Sequence, residues 1–179
     1  MTETIIVLSG SPRENGNSEL LAKAFVEGAE AAGKRVLHFS VAGLEISGCT
    51  ACEYCTSHNG ICAQEDAMNL IIEMLRVADA LVLVSPIYYF SVCGQLKLAI
   101  DRMYALSRST TPIKKAALLL TCGDDTETVA AGAVTMYQNI CHHLKWEDAG
   151  IIIATDLSKT GEINGRVELE QAKALGQMI

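Results

Sequence analysis

Short continuous apolar runs alternate along this chain with segments whose apolar residues recur every three or four positions. The runs cover residues 5–8, 36–41, 80–84, 116–121 and 149–154, each of strand length. Ala80-Leu81-Val82-Leu83-Val84 is apolar on both faces, which predicts a sheet covered by helices on each side. Helical spacing spans 17–33, where Leu20, Leu21, Ala24 and Phe25 share a face. Glu19 falls in its first turn and Gly33 just past its last periodic residue, as helix ends favour. A second helix is predicted to open at Glu65-Asp66, with Met68, Ile71, Ile72 and Leu75 inward. A third starts near Gly94 and runs through Leu96, Ile100 and Met103; a fourth covers 126–143 and a closing one 165–177. Pro86 is expected to end the third strand, and 43–64 reads as irregular.

Strands alternating with helices through short loops imply parallel βαβ units with right-handed crossovers. Residues 1–179 therefore read as one α/β doubly wound domain, a five-stranded parallel sheet in the flavodoxin-like order 2-1-3-4-5. A ligand would lie at the carboxyl ends of strands 1 and 3. A receiver domain of the same topology needs an acidic residue closing one of those strands; Ser9 and Ser85 stand there instead.

The loop after the first strand, Ser9-Gly10-Ser11-Pro12-Arg13-Glu14-Asn15-Gly16-Asn17-Ser18, leads straight into a helix. Backbone N–H groups and the helix dipole converge on an anion in such a turn. Ser9, Ser11, Asn15, Asn17 and Ser18 add side-chain donors, and Arg13 adds the one positive charge. Neither Gly-x-x-x-x-Gly-Lys-Ser/Thr nor Gly-x-Gly-x-x-Gly is present, which argues against a nucleoside triphosphate or a dinucleotide. A compact terminal phosphate such as that of FMN suits the loop. Helix capping alone would use the same residue types.

The loop after the third strand carries three of the nine aromatic residues in succession, Tyr88-Tyr89-Phe90. A flat isoalloxazine packed on them would justify rings on a loop, as would a fold-back onto the core or a subunit interface. The net charge of −7 argues against nucleic acid as a main partner, and no apolar run reaches the length of a membrane span. Without an export signal the expected location is the cytoplasm, where seven cysteines suggest thiols or metal ligands, not disulfides. Four of them, Cys49, Cys52, Cys55 and Cys62, fall within fourteen residues. That spacing can wrap an iron–sulfur cluster or a zinc ion; a thiol pair in exchange and thiols that simply pack are the other readings.

The Gly-Ser-Pro-Arg…Gly-Asn-Ser loop, the Ser-Pro-Ile-Tyr-Tyr-Phe segment and Lys97…Asp101-Arg102 together resemble the NADPH-dependent FMN reductase group of flavodoxin-like proteins, over about residues 4 to 155. The resemblance implies a homodimer with one FMN per subunit, NAD(P)H as co-substrate, and a small-molecule or protein electron acceptor. By analogy Ser11, Arg13, Asn17 and Ser18 hold the phosphate, Pro86, Ile87, Tyr88, Tyr89 and Phe90 line the ring, and Thr121, Cys122, Gly123 and Asp124 form a third wall. The cysteine pattern is similar to that of the iron–sulfur flavoprotein branch, which implies a 4Fe–4S cluster on Cys49, Cys52, Cys55 and Cys62. The expected function is an FMN-dependent NAD(P)H oxidoreductase. The alternatives are a non-catalytic electron carrier and a metal-binding interaction module. No protein residue is expected to act as a covalent or acid–base catalyst, because a flavin carries the electrons itself.

Overall fold

In the computed structural model, which describes residues 2–179, the five apolar runs become parallel neighbours in one sheet. The strands are β1 (Thr4–Ser9), β2 (Arg35–Ser40), β3 (Ala80–Tyr88), β4 (Ser91–Val92), β5 (Lys115–Thr121) and β6 (Glu147–Ala154). Their spatial order is β2-β1-β3-β5-β6, and β4 pairs antiparallel with the end of β3. For the five predicted runs this is the order 2-1-3-4-5, a flavodoxin-like α/β fold. The helices are α1 (Asn17–Ala31), α2 (Tyr54–Ser57), α3 (Met68–Leu75), α4 (Gly94–Arg102), α5 (Ala131–Leu144) and α6 (Val167–Met178). Among the described residues no helix is long and apolar enough to cross a membrane.

Alternation along each strand divides the core in two. Ile5 and Val7 of β1, with Val82 and Val84 of β3, pack against α1 and α6 through Leu21, Phe25, Ala172 and Leu175. Ile6, Leu8, Leu81 and Leu83 face the other way, onto Met68, Ile71, Leu96, Ile100 and Tyr137. The chain therefore leaves β1 for one face of the sheet and β3 for the other. A crevice opens between the two departures, and it is the crevice that positions the site.

Three expectations are corrected. Pro86 does not end β3, which runs on to Tyr88. Pairing with β1 has already stopped at Ser9 opposite Val84, so Pro86 sits on an edge where its missing N–H is tolerated. The second predicted helix begins at Met68, two residues after Asp66, whose carboxylate lies just outside it and accepts from the Met68 N–H (3.0 Å). The segment 43–64 is not wholly irregular either, since α2 forms one helical turn inside it.

Helices α1 and α6 touch backbone to backbone. A Cβ at Gly28 would lie 2.0 Å from the carbonyl oxygen of Lys173, so only glycine allows this approach. Gly28→Ala should therefore force the helices apart and destabilise the domain by about 1–3 kcal/mol, the usual cost of overpacking. The measurement is a urea midpoint; a variant as stable as the parent would show that α6 shifts freely.

Candidate functional site

The crevice holds a cavity of about 190 Å³ lined by three loops. Ser11, Arg13, Gly16, Asn17 and Ser18 come from the β1–α1 turn, Pro86, Ile87 and Tyr88 from the end of β3, and Thr121, Cys122 and Gly123 from the end of β5. Leu157 and Ser158, after β6, complete it. These last two and Gly16 were not foreseen from the sequence; the Ser158-Lys159-Thr160-Gly161 turn after the fifth apolar run was the available signal.

The β1–α1 turn is drawn tight against α4. A Cβ at Gly10 would fall 2.5 Å from the Cys93 sulfur, whose thiol donates to the Gly10 carbonyl (2.9 Å). The turn closes through a hydrogen bond from the Gly16 N–H to the Arg13 carbonyl, and no side chain caps the start of α1. Its first-turn N–H groups are thus left for water or a ligand. Ser18 Oγ and Thr121 Oγ1 lie 2.7 Å apart, tying α1 to β5. Such a pair uses one of its two hydroxyl protons internally and keeps the other to donate. Burial pushes the Cys122 thiol up, keeping it protonated at neutral pH.

Asn17 uses its side chain differently. Its Nδ2 donates to the Lys159 carbonyl (2.8 Å), while Oδ1 accepts from the N–H groups of Gly161 (3.0 Å) and Ile163 (3.3 Å). It pins the loop that brings Ser158 to the cavity. Ser9 is buried and bonded to His38 Nε2, and Asn15 donates its N–H to Glu19, so neither lines the cavity. Asp124 is exposed and also outside it.

Tyr89 and Phe90 form the turn between β3 and β4 and stand in solvent, 96% and 62% exposed, ring edge to ring face at 5.8 Å. Both take left-handed backbone (φ 49° and 68°), the twist that a two-residue hairpin turn demands but one that costs non-glycine residues about 1–2 kcal/mol.

The four clustered cysteines form no disulfide and line one hollow of about 20 Å³, with Glu53, Arg102 and Tyr104. Cys49 and Cys52 are exposed; Cys55 and Cys62 are half-buried. Ala51 (φ 53°) and Glu53 (φ 57°) hold left-handed backbone on either side of Cys52. Glu53 is fastened by the hydroxyls of Thr56 (2.7 Å) and Tyr104 (3.1 Å), which hold its carboxyl below the usual range. Burial, with the neighbouring Cys62 and Cys49 sulfurs, pushes the Cys55 thiol up. Among the described residues no three Cys, His, Asp or Glu side chains converge closely enough to hold a single ion. A larger cavity of about 500 Å³ adjoins the hollow and shares Cys49, Ala51, Glu53 and Tyr104 with it.

Beneath the hollow, Arg102 makes a two-pronged ion pair with Asp66 (2.7 and 3.1 Å), and Asp66 also accepts from the N–H groups of Ser47 and Met68. Burial acts to raise the Asp66 pKa, but Arg102 and these N–H donors outweigh it and hold the carboxyl below its ordinary value. A lowered folded-state pKa stabilises above the unfolded value, and the contribution is lost as pH falls through the folded one. Asp66→Asn should thus cost about 3–5 kcal/mol at neutral pH, as loss of one partner of a buried pair does. The penalty should shrink steadily below about pH 3.9, where the unfolded carboxyl protonates. Denaturant midpoints at pH 7 and pH 3 check this, and a penalty equal at both would refute it.

A family model for NADPH-dependent FMN reductases matches residues 4–149. An iron–sulfur flavoprotein of Archaeoglobus fulgidus is 36% identical over 94 residues, 52% of this chain and 42% of that protein. The chain spans about half the length of the curated relatives it matches. Among solved structures, an NAD(P)H:quinone oxidoreductase from Methanothermobacter marburgensis superposes with a TM-score of 0.80 at 18% identity, covering 99% of this chain and 96% of that one. An azoreductase from Bacillus anthracis gives 0.77 at 16% identity, with full coverage of both chains. Both structural likenesses are likenesses of fold.

Proposed function

We propose, from the premise that this chain belongs to the NADPH-dependent FMN reductase family, that it is an FMN-dependent NAD(P)H oxidoreductase with a 4Fe–4S cluster on Cys49, Cys52, Cys55 and Cys62. The observation that carries the reading is the 190 Å³ cavity at the carboxyl ends of β1, β3 and β5, where an uncapped helix start faces Arg13 and a hydroxyl pair. Its donor set suits a dianionic phosphate. Arg13 supplies the charge, the first-turn N–H groups supply direction, and the Ser18–Thr121 pair supplies a further proton to share. Pro86, Ile87 and Tyr88 give the wall a flat ring needs, next to the phosphate end. Bound FMN would accept a hydride and release electrons singly or in pairs. The residues around it would orient it, and the buried Cys122 thiol and Leu157 would keep water from one side.

For the cluster, support comes from four sulfurs lining one hollow that opens to solvent at Cys49 and Cys52. The left-handed residues beside Cys52 mark backbone held against local preference, a frequent trait of functional loops. The iron–sulfur flavoprotein relatives point the same way.

Two measurements test the proposal. Arg13→Ala should weaken FMN by about 1.5–3 kcal/mol, roughly tenfold or more, through loss of a charge-assisted bond. Riboflavin, which lacks the phosphate, should bind both proteins alike; an equal loss for riboflavin would remove Arg13 from the phosphate site. Anaerobically reconstituted protein should carry iron and acid-labile sulfide as well as flavin, with Cys52→Ser losing most of the iron. Addition of NADPH or NADH should then bleach the flavin absorbance promptly. A flavin reduced by dithionite but by neither nicotinamide nucleotide would leave an electron carrier instead, and iron-free protein would remove the cluster.

A further inference from the structure

Arg102 is the largest fully buried side chain of the protein, 1% exposed, and it carries a charge. Its Nη1 donates to Asp66 Oδ2 and to the Ser47 carbonyl (2.9 Å), and its Nη2 donates to Asp66 Oδ1. The third nitrogen, Nε, is buried and has no partner among the described residues. A buried N–H without an acceptor costs about 1–3 kcal/mol, so a guanidinium kept only to tether Asp66 would be an expensive choice. The same residue forms a wall of the hollow that Cys49, Cys52, Cys55 and Cys62 line.

We propose that the Arg102 Nε–H is a hydrogen-bond donor to a thiolate sulfur of the four-cysteine set, and that Arg102 and Asp66 together set the reduction potential of the cluster held there. The inference rests on the cluster reading of the hollow. A cluster on four thiolates is anionic and gains one more negative charge for each electron it takes up. A fixed cation and an N–H donor stabilise that reduced form more than the oxidised one and raise the potential. Asp66 cancels part of the cation, so the two residues act with opposite signs. Arg102 works through the sulfurs and touches no substrate; it is a positioning residue.

The test uses the full chain, reconstituted anaerobically with FMN, iron and sulfide, and reads the cluster midpoint by a redox titration followed by electron paramagnetic resonance. Asp66→Asn should move the midpoint upward, because the cation is no longer offset. Adding Arg102→Met to Asp66→Asn removes both charges together, and the midpoint should fall below that of Asp66→Asn. The expected fall is on the order of tenfold in the one-electron equilibrium, about 59 mV. Arg102→Lys keeps the charge but deletes the Nε–H, and should lie below the parent. If the double variant does not fold, Arg102→Lys against the parent decides alone, an unchanged midpoint overturning the proposal. A purely structural tether would loosen the loop in every variant and shift the midpoints one way, or not at all; either result in loaded protein overturns the inference alone. Parent protein that takes up no iron overturns the cluster reading and the inference with it.

Discussion

The ladder between β1 and β3 sets where the chain divides between the two faces of the sheet. Ser9 and Val84 are the last partners in that ladder, and beyond them the chain leaves in opposite directions, to α1 on one face and toward α4 on the other. Backbone that diverges at the centre of a sheet cannot fill the space it opens, because each crossover is held to its own face by its apolar residues. The cavity between Ser11, Pro86 and Thr121 follows from this division. So does the aim of α1, whose uncapped start points its N–H groups at the one place where three strand ends meet.

Polar side chains then secure what topology alone leaves loose. Asn17 makes three hydrogen bonds to backbone nearly 150 residues away, closing the fourth side of the cavity. The Ser18–Thr121 hydroxyl pair joins the first and third walls directly. Tyr137 does comparable work at the opposite end of the sheet, its hydroxyl 2.8 Å from both the Ala116 carbonyl and Asp148, where β5 and β6 shift register. In each case a polar group is buried with its partners supplied, the condition for burial to stabilise.

The second centre, around the cysteines, is organised by charge. No helix or strand of ordinary length runs through residues 43–64, so the loop is held by the ion pair of Arg102 with Asp66 and by the bond of Glu53 to Tyr104. Both anchors reach the loop from α4 and the turn that follows it. Since α4 also packs under the β1–α1 turn at Gly10, one helix supports the candidate flavin cavity at its start and the cysteine hollow at its end.

Legible in the chain alone were the flavodoxin-like strand order, a sheet covered on both faces and the meeting of the first and third loops. These follow from apolar period and crossover handedness, which are local or nearly so. It also singled out the four cysteines by spacing alone. Left to the folded chain were long-range pairings with no local trace. The Asn17 side-chain amide bonds to residues 159–163, a pairing that its place in the first loop does not announce. Asp66 stands at a helix start, and its carboxylate holds the Met68 N–H together with the Arg102 guanidinium, a partner 36 residues on. Tyr89 and Phe90 stand exposed in a left-handed hairpin turn, a conformation their apolar rings do not announce. Leu157 and Ser158 reach the cavity only because β6 takes its place beside β5. A side chain's period along the chain predicts the face it occupies, but the partner that claims its polar atoms is chosen by the fold.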